Sequence, residues 1–219
     1  MNIKVCGITQ MKQLQQLDKL NFDFAGLNFY KNSPRFVGRN ISGYELSSAD
    51  LDIKIAGVFV NHSYEEIMKI IDEYRLEVVQ LHGDETPEIC ERLSNDVEVI
   101  KVLRIGGDNP QTLKELIEDY DEVCDYYLFD TAVSALTNGD KNLVETYGGT
   151  GMKFDWEILR NSKIEKPFFL SGGISEADVE QIKAFKHPDF YGVDINSRFE
   201  TEPGVKDLAK VLKFKMELK

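Results

Sequence analysis

Two residues at the ends of predicted strands carry side chains suited to proton transfer, Cys6 and Asp130. Cys6 follows the extended-type residues 3–5 and precedes Gly7, which predicts a strand that delivers a thiol to its C-terminal end. Because strand side chains alternate, Lys4 and Cys6 share one face, and the cation is expected to favour the thiolate, the form that accepts a proton. The alternative is that Cys6 is a small buried apolar residue.

Asp130 ends the apolar segment 126–130, which predicts another strand with a polar terminus. A carboxyl group that faces the mouth of a site can have a raised pKa and serve as a general acid. The alternative is a carboxylate that caps Thr131 or a neighbouring loop. Both roles place the side chain at a strand end.

Arg35 and His82 are candidate ligand contacts. Arg35 follows Pro34 in a loop, where a guanidinium group can grip a carboxylate with two parallel hydrogen bonds. The alternative is a solvated surface arginine. His82 ends the predicted strand 78–82 and is either a substrate contact or a hydrogen-bonded histidine of the protein interior.

Gly172 and Gly173 follow the predicted strand 168–170 and indicate an anion site. Two glycines allow the backbone to approach a phosphate group closely. A helix that begins near Ser175 would point the positive end of its dipole toward this loop. The alternative is a tight turn without a ligand.

The turn after the predicted strand 191–195 adds candidate phosphate contacts. Asp194 lies near the end of that strand, and Asn196 and Ser197 supply polar groups directly after it. The segment GGTG at 148–151, which includes Gly149, is a weak signal alone but can form one wall of the same site. These residues complete the predicted set of substrate-binding side chains.

The elements that must position these residues alternate regularly between strand and helix. Predicted strands cover 3–6, 24–29, 53–60, 78–82, 97–103, 126–130, 168–170 and 191–195, and predicted helices cover 11–20, 64–74, 87–93, 111–119, 155–159, a segment from 175, and 206–218. This alternation predicts an α/β fold, a single (β/α)8 TIM barrel domain over residues 1–219. A doubly wound open sheet is the alternative, but no GxGxxG follows an early strand. In a barrel the strand ends share one face, which holds the active site, and the loops after the last two strands commonly bind phosphate.

Composition limits the function classes. A formal net charge of −12 over 219 residues argues against general binding of nucleic acid or anionic membranes. No apolar run approaches the roughly 18 residues of a membrane span, and no signal-peptide pattern is present. The 3 cysteines and 3 histidines are scattered, without a CxxC pair, so we expect reduced thiols, a cytoplasmic protein and no metal site.

Taken together, several motifs resemble those of the phosphoribosylanthranilate isomerase family. They are KVCGIT at 4–9, SPR at 33–35, GVFVN at 57–61, VQLHG at 79–83, FD at 129–130, GGTG at 148–151 with FDW at 154–156, LSGGI at 170–174 and PGVKD at 203–207. The resemblance implies that Cys6 is the general base, Asp130 the general acid and Arg35 the residue that binds the anthranilate carboxylate. It further implies an Amadori rearrangement of a phosphosugar substrate in the tryptophan pathway, with no metal or organic cofactor.

The sequence departs from the family pattern at two places. Residues 196–198 read Asn-Ser-Arg where the family often has Ser-Ser-Gly, and the connection 131–147 is longer than is common. We expect that connection to be a mobile lid, and the chain to be a monomer or a homodimer. Two rival functions remain: another phosphosugar barrel, such as an indole-glycerol-phosphate synthase or a histidine-pathway isomerase, and a phosphosugar-binding protein without catalysis. The rival enzymes would be expected to use a lysine or a pair of aspartates in place of Cys6 and Asp130.

Overall fold

Eight parallel strands close into a barrel in the computed structural model, which describes residues 1–38, 40–106, 112–131 and 154–219. The strands are β1 (Asn2–Cys6), β2 (Phe24–Asn28), β3 (Lys54–Phe59), β4 (Val78–Leu81), β5 (Glu98–Ile105), β6 (Tyr126–Thr131), β7 (Phe168–Leu170) and β8 (Phe190–Ile195). Each strand pairs with the next along the chain, and β8 pairs with β1. The predicted (β/α)8 barrel is confirmed, and the open sheet is excluded because the last strand meets the first.

Helices lie between the strands and cover the outside of the barrel. They are α1 (Met11–Lys19), α2 (Gly43–Ser47), α3 (Tyr64–Tyr74), α4 (Pro87–Leu93), α5 (Leu113–Glu118), α6 (Glu157–Arg160), α7 (Val179–Ala184) and α8 (Leu208–Leu218). Ser63 caps α3 as predicted: its hydroxyl group accepts from the backbone N–H of Glu66, and the Glu66 carboxylate accepts from the backbone N–H of Ser63. Helix α2 was not predicted, because five residues are too few to show a helical period.

The C-terminal part of the chain corrects the predicted helix boundaries. The helix predicted over 206–218 begins at Leu208, and Lys206 instead lies in a short antiparallel hairpin of β9 (Glu200–Glu202) and β10 (Val205–Lys206). The helix predicted from Ser175 starts as one 3-10 turn, Glu176–Asp178, before α7. The helix dipole that was expected to favour an anion at this loop is therefore weak.

The barrel interior changes character from one end to the other. Near the N-terminal ends of the strands, aromatic side chains fill it: the rings of Phe24 and Phe169 lie 5.5 Å apart, and those of Tyr126 and Tyr191 lie 5.2 Å apart. Toward the C-terminal ends, the alternating inward positions carry polar groups instead. The aromatic layer excludes water from the N-terminal end of the barrel, so the polar opening lies at the C-terminal ends of the strands.

A buried ion pair fixes the turn that follows β4. Lys101, on β5, donates to the carboxylate of Glu85 at 3.1 Å and to the carbonyl oxygen of Gly83 at 3.0 Å. The same carboxylate accepts from the backbone N–H groups of Gly83 and Asn61. This turn begins directly after His82, so the pair fixes the backbone next to that residue.

Replacement of one partner of this pair should destabilise the fold strongly. Lys101→Met leaves the Glu85 carboxylate buried without its cation, and we expect a loss of about 3–5 kcal/mol in the free energy of unfolding. Urea denaturation followed by circular dichroism measures this. The control is Lys114→Met, which removes an exposed pair with Glu118 and should change stability by less than about 0.5 kcal/mol. Equal effects of the two substitutions would contradict the structural role of the pair.

Candidate active site

A single cleft at the C-terminal ends of the strands gathers the predicted site residues that the structure describes. Its lining consists of Cys6, Asn28, Tyr30, Ser33, Arg35, Val58, Val60, His82, Asp130, Ser171, Gly172, Gly173, Ile174, Asp194, Asn196 and Ser197. Gly149 and residues 132–147 of the predicted lid lie outside the described residues. Cys6 and Asp130 stand on β1 and β6, three strands apart in a ring of eight, and therefore face each other across the mouth.

The floor below Cys6 is a buried ion pair. The ammonium group of Lys4 donates to the carboxylate of Asp194 at 2.8 Å, and both side chains are almost fully buried. Ser171 donates to the second carboxylate oxygen at 3.4 Å. A methyl group on Gly26 would lie 2.7 Å from Cys6 Sγ and 3.2 Å from Lys4 Nζ, so only glycine at this position leaves room for the thiol and the cation together.

Burial decides the resting state of the thiol. It raises the pKa of Cys6, and the nearby Lys4 cation offsets that effect only in part. Lys4 favours the thiolate, as predicted, but burial is the larger effect and the pKa of Cys6 stays raised. Cys90 and Cys124 are also buried, and burial raises their pKa values to about 11 and about 12. Cys6 alone among the three cysteines lines the cleft.

Asp130 lies in a chain of polar contacts with His82 and Gln80. His82 Nε2 is 3.3 Å from Asp130 Oδ2, and His82 Nδ1 is 3.0 Å from the side-chain nitrogen of Gln80. The other carboxylate oxygen accepts from the backbone N–H of Thr131 at 2.8 Å. Rotation of the Gln80 amide lets it donate to Nδ1 or accept from it, so His82 Nε2 can either donate a hydrogen bond to Asp130 Oδ2 or accept one.

The loop after β7 is shaped by its two glycines. Gly172 and Gly173 have φ angles of +84° and +65°, which favour glycine. A methyl group on Gly172 would lie 2.3 Å from the hydroxyl oxygen of Thr131 and 3.0 Å from Asp130 Oδ1. In the part of the chain that the structure describes, neither glycine N–H has a hydrogen-bond acceptor. Both glycines line the cleft together with Asp130, and their N–H groups are suited to an anion.

The segment after β8 is a short 3-10 helix, Ser197–Phe199, rather than a simple turn. Asn196 and Ser197 both line the cleft. The Asn196 side-chain oxygen accepts from the ammonium group of Lys206 at 2.7 Å. Asn196 is therefore already oriented by a buried cation, and Ser197 stands next to it at the rim.

Arg35 makes the bidentate contact that its chemistry predicts, but with a carboxylate of the protein. Its Nε donates to the two oxygens of Glu200 at 2.9 and 3.1 Å, and its Nη2 donates to one of them at 2.7 Å. Lys206 donates to the same carboxylate. Burial alone would raise the pKa of Glu200, but Arg35 and Lys206 outweigh it and hold that pKa below its ordinary value.

Sequence analysis missed Glu200 and placed Lys206 at the start of the closing helix. A strand of three residues shows no period, so Glu200 had no pattern to mark it. Lys206 lies next to the amphipathic pattern of α8 and was therefore predicted to belong to that helix. Its side chain is fully buried. Within the described ranges there is no cluster of three metal-ligating side chains, and no helix there is long and apolar enough to cross a membrane.

Comparison with known proteins identifies relatives along the whole chain. The model of the family N-(5'-phosphoribosyl)anthranilate (PRA) isomerase matches residues 3–216. The N-(5'-phosphoribosyl)anthranilate isomerase of Parabacteroides distasonis is 39% identical over 216 residues, covering 98% of this chain and 91% of that protein.

Solved structures agree with this relationship. A structure of monomers generated from the dimeric phosphoribosylanthranilate isomerase of Thermotoga maritima superposes with a TM-score of 0.75 at 26% identity, covering 100% of this chain and 98% of that one. The same values hold for a phosphoribosylanthranilate isomerase in complex with reduced 1-(o-carboxyphenylamino)-1-deoxyribulose 5-phosphate. With Cys6, Asp130 and Arg35 around one mouth of a closed barrel, this chain belongs to the N-(5'-phosphoribosyl)anthranilate isomerase family.

Proposed function

We propose that this chain catalyses the Amadori rearrangement of N-(5'-phosphoribosyl)anthranilate to 1-(2-carboxyphenylamino)-1-deoxyribulose 5-phosphate, with Cys6 as general base and Asp130 as general acid. The observation that carries the proposal is that a thiol and a carboxyl group face each other across one cleft. Chains that act on related phosphosugars through a lysine or two aspartates would not need a thiol at the end of β1. The family membership of the chain supports the same reaction.

The first step opens the sugar ring. Asp130 donates a proton to the ring oxygen, the bond from that oxygen to C1 breaks, and its electron pair stays on the oxygen as a hydroxyl group. The lone pair of the anthranilate nitrogen forms the C1–N double bond of an iminium ion. His82 Nε2 lies 3.3 Å from Asp130 Oδ2 and orients the carboxyl group. The cycle closes when solvent returns a proton to Asp130 and takes one from Cys6.

The second step moves a proton from carbon. Cys6 removes the proton from C2 in its thiolate form, which the nearby Lys4 cation favours against the effect of burial. The C–H electron pair forms a C1–C2 double bond, and the iminium electrons return to nitrogen. The resulting enolamine loses the proton of its 2-hydroxyl group and gains one at C1, which gives the ketone. C1 is reduced and C2 is oxidised by the same two electrons, so the residues of the chain only transfer protons.

Binding groups at the two ends of the cleft hold the substrate between acid and base. The N–H groups of Gly172 and Gly173, with Asn196 and Ser197, are suited to the phosphate group. Arg35 is suited to the anthranilate carboxylate. A related structure holds a ligand with both of these groups, which supports this orientation.

The biological setting is part of the proposal. We infer that residues 1–219 form a single barrel domain, which is supported by the family match over residues 3–216. A biosynthetic reaction on a small phosphosugar favours the cytoplasm, with no nucleic-acid or membrane partner and no cofactor. The dimer described for the Thermotoga maritima relative keeps homodimer beside monomer as the expected states.

Removal of either proton-transfer group should abolish most of the activity. We expect Cys6→Ala and Asp130→Asn each to lower kcat by at least about a hundredfold, the usual contribution of a general base or acid. The decrease in substrate fluorescence on turnover measures the rate. Cys90→Ala, which removes a thiol outside the cleft, is the matched control and should retain wild-type activity. Ligand binding without turnover in the wild type would instead favour a catalytically inactive phosphosugar-binding protein.

The raised pKa of Cys6 predicts its alkylation profile. Only the thiolate reacts with iodoacetamide, so the rate at Cys6 should rise about tenfold per pH unit between about pH 7 and pH 9 without a plateau. Mass spectrometry of the Cys6 peptide measures the rate, and reduced product analogue should protect the thiol. Lys4→Met removes the cation that lowers the pKa and should slow the reaction further at each pH. A plateau below about pH 8 would contradict a thiol that is protonated at rest.

Arg35→Met should weaken substrate binding more than it slows the chemical step. Loss of the two charge-assisted hydrogen bonds to the carboxylate should raise KM at least about tenfold, with a smaller change in kcat. Steady-state kinetics separate the two constants. An unchanged KM would remove the assignment of Arg35 to the substrate carboxylate.

A further inference from the structure

Glu200 occupies one edge of the Arg35 guanidinium group and leaves the other edge unused. A guanidinium group has two edges that can each form paired hydrogen bonds, one through Nε and Nη2 and one through Nη1 and Nη2. Glu200 takes the first edge, with distances of 2.7–3.1 Å. Among the residues that the structure describes, Nη1 has no hydrogen-bond partner, and Arg35 lines the cleft.

The aliphatic part of the Arg35 side chain packs against Gly7. A methyl group on Gly7 would lie 2.7 Å from Arg35 Cδ and 2.8 Å from the side-chain oxygen of Asn196. The arginine therefore passes directly over Gly7, the residue after Cys6. Contact with Gly7 and the ion pair with Glu200 together fix the position of the guanidinium group in the cleft that Cys6 also lines.

Lys206 balances the charge that Glu200 brings to the site. It lies opposite Glu200 in the β9–β10 hairpin, its side chain is fully buried, and it donates to the Glu200 carboxylate. The backbone N–H of Gly204 donates to the same carboxylate at 3.1 Å. Two cations and one anion leave this cluster with one net positive charge. An incoming carboxylate thus meets attraction rather than the repulsion that an uncompensated glutamate would cause.

We propose that Glu200 is a positioning residue, which holds one edge of Arg35 so that the other edge receives the substrate carboxylate, and that Lys206 neutralises Glu200 for this purpose. The proposal rests on the proposed function, because it assigns the carboxylate of the substrate to Arg35. It makes the β9–β10 hairpin a determinant of specificity for carboxylated over uncarboxylated arylamines. Glu200 has no contact of its own with the substrate in this arrangement.

The test compares two ligands on three proteins. The ligands are reduced 1-(o-carboxyphenylamino)-1-deoxyribulose 5-phosphate and the matched phenylamino compound that lacks the carboxyl group. The proteins are wild type, Glu200→Gln, which keeps the size of the side chain but removes its charge, and Glu202→Gln. Glu202 is an exposed glutamate on the same strand and serves as the control. Calorimetry measures each dissociation constant.

We expect Glu200→Gln to weaken the carboxylated ligand at least about tenfold more than the uncarboxylated one, and to raise KM more than it lowers kcat. Glu202→Gln should match wild type. In an Arg35→Met background, Glu200→Gln should have no further selective effect, because Glu200 acts through Arg35. An equal loss for both ligands would show a purely structural role, and tighter binding of the carboxylated ligand would show that Glu200 competes with it; either result overturns the proposal.

A measurement on the unaltered protein covers the case in which Glu200→Gln does not fold. The Arg35 Nε–H resonance, assigned by its loss in Arg35→Lys, should be protected from solvent exchange in both the free and the liganded protein. Protection only with ligand would overturn the proposal. Failure of the proposed function looks different, because wild type would then show no preference for the carboxylated ligand at all.

Discussion

The ion pair between Lys4 and Asp194 is the interaction on which the site depends. It lies at the seam where β8 meets β1, and the two residues are direct partners in the strand register. A slip of one residue would turn Cys6 away from the interior and leave both charges facing apolar neighbours. Buried ion pairs contribute little net stability, but loss of one partner is costly. The pair therefore acts mainly to select the one register in which the thiol faces the cleft.

An acidic protein that binds an anionic substrate needs a region of positive potential at the binding site. The formal net charge is −12, yet exposed carboxylates farther than about 8 Å from the site are largely screened by salt. Groups inside the cleft are screened much less. Two groups provide the local positive potential at separate parts of the rim. One is the pair of cations Arg35 and Lys206, which share the single carboxylate of Glu200, and the other is the N–H groups of the Gly172 loop.

Two kinds of feature could be predicted from sequence: elements with a repeating pattern of apolar residues, and reactive residues at the ends of strands. Cys6 and Asp130 stand out because each is a reactive group that terminates an apolar strand, and parallel strands in a barrel bring such ends together. Arg35 was predicted from its chemistry, but its partner was not, because Glu200 lies 165 residues away in a strand too short to recognise. The protonation state of Cys6 could not be predicted from sequence, for a related reason. A neighbouring lysine is visible in sequence, whereas the depth of burial that outweighs it is a property of the folded barrel.

The hairpin explains why an arginine, rather than a lysine, suits position 35. An ammonium group paired with Glu200 would be a point charge already neutralised by its partner, with no defined direction left for a ligand. The planar guanidinium group separates the two tasks, because one edge can be fixed by the protein while the other remains open. Lys206 has a compact ammonium group and a fully buried side chain, which suits it to the complementary task of neutralising the Glu200 carboxylate. A hairpin of which sequence analysis assigned only Lys206, and that to the closing helix, thus sets the geometry at the carboxylate end of the cleft.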